Sequence, residues 1–496
     1  MVSLAKNEIR LQYSGFVLFA SKVSSIVTGL AFQLMLIRSV TTTEYGIWGN
    51  INDLVLYFTL IAGILPFWTT RFVARNHENS AKTGLVTNVI ISMVFTAVYI
   101  LLAPFITSSL NIDEPYRVLY IVVSIQIIEN YALAALQGIV LAKKPHMVGV
   151  GLLVHEFTKV FLGFMLVIVF NVGLFGILAT LLIAYFIQLV FFSIIIKDYF
   201  KEKVEWKHFK EWLKASPINV YNIVGTQLAS FGLIMLFAYG TEVARAYYGA
   251  SLTVANVINY SAFLAFALYP RLLAEVKSED ITTSLRTVLM FIIPMTVGAI
   301  IMADSYLTIL NVEYAEATLV LSLLALDLAC LSLGQVLTNV VLGVEKLDEK
   351  ARIPFRELLK SRIFQVFTLP YLRSLIVLPT AFYLLTESVA KNALEAAFYV
   401  AAVYFVADAV LLLCTYTIAR RTTTLPFPWK NSAKYLAASA IMAGMLLLIP
   451  HPKRIVTTFA VTIAAGAFYL AVLFFIDAEA KSLIKSTLQE VKNKLI

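Results

Sequence analysis

The stretch that decides the fold is a helical hairpin near the beginning of the chain. It consists of YSGFVLFASKVSSIVTGLAFQLMLI (13–37), the polar turn SVTTTEYG (39–46), the apolar run IWGNINDLVLYFTLIAGILPFW (47–68) and RFVAR (71–75). Each apolar run can cross the hydrocarbon core of a membrane, which takes about 20 residues at roughly 1.5 Å per residue. Lys22 lies within the first run and Asp53 within the second. Because an ionisable group is costly inside a membrane, we expect each to face a partner or a water-filled cavity.

The composition of the whole chain agrees with this reading. Of its 496 residues, 60% are hydrophobic and only 14% are charged, whereas soluble proteins carry about 25% charged residues. The apolar runs are continuous, which excludes the alternating segments of a membrane β-barrel. The two cysteines, Cys330 and Cys414, lie in apolar runs and supply neither a disulfide framework nor metal-ligand spacing. The sequence therefore predicts an all-α polytopic membrane protein.

Fourteen stretches are long and apolar enough to be transmembrane helices. They are 13–37, 47–68, 84–110, 117–141, 147–170, 173–196, 217–239, 246–269, 287–310, 317–343, 363–386, 397–418, 433–450 and 455–476.

The positive charges distribute unequally over the loops that these fourteen helices define. Of 39 Lys and Arg residues, 30 fall on the side of the two termini and three lie inside helices. The other side holds six, which are Arg38, Arg117, Arg245, Lys391, Lys453 and Arg454. By the positive-inside rule, both termini are predicted to be cytoplasmic, in a multi-pass protein of the cell membrane. The same rule accounts for the net charge of +9, so we expect no nucleic-acid partner.

The two largest cytoplasmic loops cover 197–217 and 345–360. Their mixed charge, with Trp206 and Trp212 in the first, is compatible with short amphipathic helices on the anionic inner leaflet. It is equally compatible with solvated linkers.

An internal repeat appears when the opening hairpin is shifted by 200 residues. Gly49 then coincides with Gly249, Trp48 with Tyr248 and Arg71 with Arg271. Together with the even number of helices, this predicts a duplicated six-helix unit, a frequent plan of transporters. The expected organisation is two pseudo-symmetric lobes, 1–215 and 216–420, followed by an additional helix pair and cytoplasmic tail at 421–496.

Three short motifs carry a resemblance to a known family. They are TEYGI (43–47) after the first helix, AYYGAS (246–251) and LYPRL (268–272) in the second half. With these motifs and its fourteen-helix, two-lobe layout, the chain resembles the multidrug/oligosaccharidyl-lipid/polysaccharide exporter superfamily and, within it, Wzx-like polysaccharide flippases. The resemblance implies two lobes around a cavity that opens alternately to each side. It also implies a glycan on a polyprenyl or dolichyl (pyro)phosphate as substrate, and a final helix pair that lines a groove for its lipid tail.

Three cations inside helices are candidates for contacting the substrate phosphate, namely Lys22, Lys159 and Arg373. Each also has a structural alternative, because an ion pair would equally explain a buried charge. Lys22 could pair with Asp53, and Lys159 with Glu156 at i,i+3 spacing. Arg373, near the middle of the eleventh helix, could pair with Asp408 of the twelfth.

Five carboxylates inside helices are candidates for lining the cavity or binding a coupling ion, namely Asp53, Glu129, Glu156, Asp327 and Asp408. Asp408 is a candidate carrier of a proton or a sodium ion. The stretch HEFTK (155–159) departs from the zinc-protease pattern because Lys159 replaces the second histidine. We therefore expect no metal site and no cofactor, with Na⁺ or H⁺ as the candidate coupling ion.

The expected function is a flippase that moves a lipid-linked oligosaccharide from the cytoplasmic to the outer leaflet, for polysaccharide or glycoprotein glycan assembly. Its expected partners are the lipid-linked glycan, membrane lipids and other glycan-assembly membrane proteins. The alternative is a cation-coupled multidrug exporter of the same superfamily, with a pocket dominated by carboxylates. A membrane glycosyltransferase would need a sizeable outer loop with a carboxylate metal site, and the outer loops here are too short. The protein is therefore not expected to be an enzyme.

Overall fold

The computed structural model describes residue 21, residues 24–25, 27–265, 272, 277–345, 361–386 and 391–477, and residue 481. These parts of the chain are helical and contain no strand, which confirms the all-α class. Lys22 and the LYPR part of the third motif lie outside the described residues. The chain divides into two compact units, Met1–Ala238 and Tyr239–Ile496. The lobe boundaries predicted at 215/216 and 420/421 stay predictions.

The first unit contains nine helices and most of a tenth within its described part. They are α1 (Val27–Ser39), α2 (Thr42–Thr59), α3 (Ile64–Ala74), α4 (Ser80–Ser109), α5 (Glu114–Lys143), α6 (Pro145–Val169), α7 (Leu174–Ile195), α8 (Trp206–Ala215), α9 (Pro217–Leu228) and α10 (Phe231–Gly240). The helices α3, α4 and α5 pack closely through glycines: a Cβ atom on Gly84 of α4 would lie 2.0 Å from the Thr69 Oγ1 atom of α3. Such small-residue contacts are typical of helix packing in membranes.

The second predicted span is broken, because α2 and α3 meet at an angle of 53°. The helix α2 begins at a capping box, in which Thr41 and Glu44 satisfy each other's backbone N–H groups. Pro66, in the first turn of α3, has no N–H group to donate to the Ala62 carbonyl. Asn88 of α4 supplies the missing donor, since its Nδ2 atom lies 3.1 Å from the Ala62 oxygen. The break is thus stabilised by a neighbouring helix, as backbone exposed in a membrane requires.

The second unit contains eight helices within its described part. They are α11 (Glu242–Asn259), α12 (Ser278–Ile301), α13 (Ala303–Leu310), α14 (Thr318–Val344), α15 (Arg362–Thr386), α16 (Ala393–Thr422), α17 (Trp429–Leu448) and α18 (Ile455–Ile476). The helices α11, α14, α15 and α16 form one bundle. The helices α2 and α11 are both 18 residues long and begin and end 200 residues apart, which is the offset of the sequence repeat.

The helix pair α17–α18 packs against α12 of the same unit. Its core contains Met290 of α12 with Met442 and Tyr469 of the pair, and the Tyr469 hydroxyl donates to the Met290 carbonyl at 2.8 Å. At one end of the pair, the Lys434 ammonium lies 3.2 Å from a buried carboxylate, Asp477. The pair is therefore an integral part of the second unit.

Eleven described helical stretches are long and apolar enough to cross a membrane, and the bent pair α2–α3 makes a twelfth. Among the fourteen predicted spans, the first and the eighth are not in this set. Their described parts, α1 and α11, are helical but shorter or more polar, and both predicted spans extend into residues outside the description. The count of fourteen therefore stays a prediction.

Candidate functional site

The second unit buries an ion pair between two of its long helices. Arg373 of α15 donates from its Nη2 atom to Asp408 Oδ2 of α16 at 2.6 Å. The guanidinium carbon also lies 5.0 Å from the ring centroid of Tyr404, a cation–π distance. This is the structural alternative that the sequence left open for Arg373, and the pair is present.

A second carboxyl group joins this ion pair. Asp327 of α14 is 3% exposed and is close enough to Asp408 to interact with it electrostatically. Two neighbouring carboxyl groups in a buried site repel each other when both are ionised, and a proton on one of them removes that repulsion. One proton would also balance the two carboxyl groups against the single guanidinium. The three side chains therefore form a neutral cluster when they hold one proton, and we call them the Arg373 cluster.

The Arg373 cluster is flanked by α11, in a way that the sequence analysis missed. Tyr248 is buried, with its ring centroid 6.1 Å from that of Tyr404. Arg245, which the sequence placed just before the eighth span, lies in the first turn of α11 and is 7% exposed. The signal that could have placed it is Thr241, whose side chain caps the helix at Ala244. A threonine N-cap begins the helix before Arg245 and not after it.

The first unit holds a different ion pair on a single helix. Lys159 and Glu156 of α6 approach to 2.7 Å between Nζ and Oε2. Glu156 also accepts from the Thr28 hydroxyl of α1 at 2.6 Å. The Lys159 ammonium lies 5.6 Å from the Phe32 ring centroid. The i,i+3 ion pair that the sequence offered as the structural alternative for Lys159 is therefore present. The hydrogen bond from Thr28 connects α1 to α6 at this pair.

Other buried polar groups surround α5, α6 and α7. The His155 ring centroid lies 4.5 Å from that of Tyr185. Glu129 of α5 is 6% exposed, and its Oε2 atom has no hydrogen-bond partner in the part of the chain that the structure describes. The Oε2 atom of Glu129 is therefore available to accept a hydrogen bond or a proton.

The remaining sequence candidates are less well placed. Asp53 is half-buried on α2, one turn before Tyr57. Its proposed pairing with Lys22 cannot be located, because Lys22 lies outside the described residues. Across the described ranges, there is no cluster of three or more His, Cys, Asp or Glu side chains that could hold a metal ion.

The arrangement leaves the half-buried guanidinium of Arg373 able to bind another group. A guanidinium has five N–H donors in a planar fork. The Arg373 Nε atom has no hydrogen-bond partner among the residues described, and it is buried. An ion pair with Asp408 therefore does not use up the donors of Arg373.

No protein-family model matches the chain, and no curated protein matches it. Solved structures do. A structure described as the lipid II flippase MurJ in an inward closed conformation matches with a TM-score of 0.70 and 14% identity, over 95% of this chain and 100% of that chain. An inward-facing multidrug resistance MATE family transporter of the MOP superfamily matches with a TM-score of 0.62 and 12% identity, over 80% and 95%.

A eukaryotic MATE transporter matches with a TM-score of 0.54 and 14% identity, over 88% of this chain and 99% of that chain. At these identities the likeness establishes the fold. These neighbours are membrane transporters and not enzymes, in agreement with the many apolar helices of this chain. The chain therefore has the same fold as these MurJ and MATE structures, in agreement with the fold that the resemblance implied.

Proposed function

We propose that this protein flips a polyprenyl- or dolichyl-(pyro)phosphate-linked oligosaccharide across the cell membrane by alternating access. The observation that carries the proposal is Arg373, a half-buried residue of a transmembrane helix whose buried Nε donor has no described partner. Moving a phosphate through hydrocarbon is opposed by the cost of a bare charge. A buried guanidinium lowers that cost by binding phosphate oxygens in a bidentate manner.

The extent of the structural matches supports a lipid-linked substrate over a drug. The MurJ structure, whose description names lipid II, aligns with 95% of this chain. The inward-facing MATE structure aligns with 80%. We propose that Lys22 and Lys159, in the first unit, are further cations that contact the substrate phosphate during transport. Other glycan-assembly membrane proteins would supply and consume the substrate.

We propose that the Arg373 cluster also carries the coupling ion. Its two carboxyl groups need one proton to be balanced by one arginine, and a sodium ion could take the place of that proton. Asp408 and Asp327 are the exchanging groups in this scheme. Glu129, Glu156 and Asp53 are proposed to line the transport pathway in the first unit.

The alternative function is a cation-coupled multidrug exporter. It is favoured by the MATE matches and by the carboxylates of the membrane helices, which outnumber the cations. An exporter of organic cations would bind its substrate through carboxylates such as Glu129, whose Oε2 atom has no described partner. The two functions therefore depend on side chains of opposite charge.

Two variants separate these functions. Arg373→Lys keeps a cation beside Asp408, so the variant should fold, but it loses the planar fork. We expect flipping of a lipid-linked oligosaccharide in proteoliposomes to fall on the order of tenfold or more. Arg454→Lys, at an exposed position before α18, is the matched control and should flip normally. Equal flipping by both variants would contradict the phosphate role of Arg373.

Deletion of the gene tests the function in the cell. A flippase defect should make lipid-linked sugars accumulate on the cytoplasmic side of the membrane. Drug resistance conferred by this chain, with normal surface glycan after its deletion, would instead establish the exporter.

A further inference from the structure

The segment between α7 and α9 contains a short amphipathic helix, α8, that the transport mechanism above does not use. Its sequence is WKHFKEWLKA (206–215). The sequence left open whether this loop lies on the membrane or in solvent. In the structure, one side of α8 packs on the protein, a second side is apolar and exposed, and lysines border the second side.

The first side of α8 packs on the protein. Trp212 is 1% exposed, and its ring centroid lies 5.4 Å from that of Phe72 near the end of α3. His208, one turn earlier, stacks on Trp212 with an interplanar angle of 11°. One turn later, the Ser216 hydroxyl accepts from the Trp68 indole of α3 at 3.0 Å. The i,i+4 spacing of these residues defines one face of the helix.

Backbone hydrogen bonds fix the segment that leads into α8. The Lys203 N–H donates to Asn79 Oδ1 at 3.0 Å, and the Glu205 N–H donates to Thr83 Oγ1 at 2.8 Å. Both acceptors lie at the start of α4. The segment is therefore attached to the end of α3, the start of α4 and the end of α7. These are neighbouring ends of membrane spans, so α8 lies at one membrane surface.

The second side of α8 is apolar and exposed. Trp206 is 52% exposed and Leu213 is 47% exposed. At about 100° per residue, these two side chains project within roughly 20° of each other and about 110° from Trp212. A large aromatic and a leucine side chain side by side at the end of membrane spans are typical of a helix that lies in the membrane interface.

Lysines border this apolar side. Lys210 and Lys214 are exposed and lie next to Trp206 on the helical wheel, on the side away from Trp212. Glu211, also exposed, lies on the far side, where it is separated from Trp206 by the lysines. Aromatic, aliphatic and cationic side chains thus form one continuous surface, which we call the Trp206 surface, and the exposed acidic residue of α8 is excluded from it. This surface is complementary to a layer of anionic headgroups above acyl chains.

We propose that the Trp206 surface of α8 binds anionic phospholipids of the leaflet on its side of the membrane. Trp206 and Leu213 insert at the level of the headgroups, and Lys210 and Lys214 hold lipid phosphates. Trp212 on another side of α8 packs on Phe72, and Ser216 just after α8 accepts from Trp68. The bound lipids therefore hold the second half of the bent span, α3, against the membrane surface. This site is separate from the Arg373 cluster and does not depend on the identity of the transported substrate.

Fluorescence of Trp206 in the full-length protein tests the proposal. The protein is reconstituted in phosphatidylcholine vesicles that contain phosphatidylglycerol, and the signal of Trp206 is obtained by difference from Trp206→Phe. Bromine is placed near the carbonyl end of the acyl chains, either on phosphatidylglycerol or on the same mole fraction of phosphatidylcholine. We expect brominated phosphatidylglycerol to quench Trp206 more strongly, with a local enrichment on the order of fivefold for each lysine at low salt.

The decisive comparison uses two charge-matched double variants. Lys210→Glu/Lys214→Glu should abolish the preference for phosphatidylglycerol. Lys197→Glu/Lys201→Glu, outside α8, should retain it. Equal quenching by the two brominated lipids in the unchanged protein would show an interfacial helix without lipid selectivity and would overturn the proposal. Absence of quenching by either lipid would overturn it as well, because α8 would then lie in solvent.

Discussion

Asp327 and Asp408 are both buried, but they differ in their contact with Arg373. Asp408 forms an ion pair with Arg373 at 2.6 Å, whereas Asp327 is a second carboxyl group near that pair. Removing one partner of a buried ion pair is strongly destabilising, on the order of 3–5 kcal/mol, because the other charge stays buried without compensation. Asp327 is the carboxyl group in excess of the positive charge, so its removal leaves no buried charge without compensation.

We therefore predict opposite effects of two isosteric substitutions on stability. Asp408→Asn should lower the melting temperature of the purified protein. Asp327→Asn should leave it unchanged or raise it, because the amide removes a carboxyl charge that the single guanidinium does not balance. Asp113→Asn, at an exposed position before α5, is the control. An Asp327→Asn variant that melts as low as Asp408→Asn would contradict this charge balance.

The sequence indicated these residues but not their geometry. The sequence alone shows a cation in the middle of an apolar run, and it also shows the i,i+3 spacing of Glu156 and Lys159. The contact between Asp327 and Asp408 depends on how α14 and α16 pack and rotate, which apolar periodicity leaves open in helices that are apolar all round. The helix that contains Arg245 begins four residues before the predicted span, because a cap and not hydropathy sets a helix start near a membrane surface.

At the scale of the helices, the bend between α2 and α3 depends on one side chain. Asn88 is completely buried, and its Nδ2 atom donates both to the Ala62 carbonyl and to the Tyr131 carbonyl at 2.6 Å. Neither carbonyl can reach water in the packed interior. Asn88 therefore links α3, α4 and α5 at the point where the second span breaks.

Replacing Asn88 by leucine should destabilise the first unit. The Ala62 carbonyl would lose its donor, at about 1–3 kcal/mol for an unsatisfied buried group, while the Tyr131 carbonyl would keep the hydrogen bond of its own helix. Thermal unfolding of the purified variant measures the effect. The control is Asn130→Leu, since Asn130 is half-buried and donates only to Gln126 of its own helix. Similar melting temperatures for both variants would show that the break does not need Asn88.

Hydropathy predicted the second span at 47–68 but not its bend. The proline at position 66 is a visible signal, yet a proline near a helix start is also compatible with a straight entry. The bend is stabilised by Asn88, a polar side chain of another helix. Asn88 lies 26 residues after Ala62, so their contact is not visible in the local sequence. The same limitation applies to α8, whose buried side became identifiable only once Phe72 was known to lie beside Trp212.

For the molecule as a whole, the repeat is the feature that sequence and structure describe in the same terms. The threonines that cap α2 and α11 are Thr41 and Thr241, and both helices have the same length. The chain after each helix departs from a regular α-helix, at 60–63 and at Tyr260–Ala265. A duplicated unit explains why an offset of 200 residues aligns glycines in the sequence and helix ends in the structure.

The orientation of the chain and the number of its spans can be tested together. With Cys330 and Cys414 replaced by serine, single cysteines are introduced at Val172, Lys201 and Lys453 and exposed to a membrane-impermeant thiol reagent on intact cells. The charge asymmetry predicts labelling at 172 and 453 and protection at 201. Permeabilised cells, in which all three should react, provide the control.

The pattern of labelling also identifies which span is in error if the count is wrong. The eighth predicted span lies between 201 and 453, so its absence would protect Lys453→Cys while Val172→Cys stays labelled. An inverted orientation would instead exchange all three results. In that case α8, with Lys210 and Lys214, would face the outer leaflet, and the Trp206 surface would bind anionic lipids there or not at all. The side of the membrane on which Lys201 lies therefore determines where the lipid contact proposed for α8 can form.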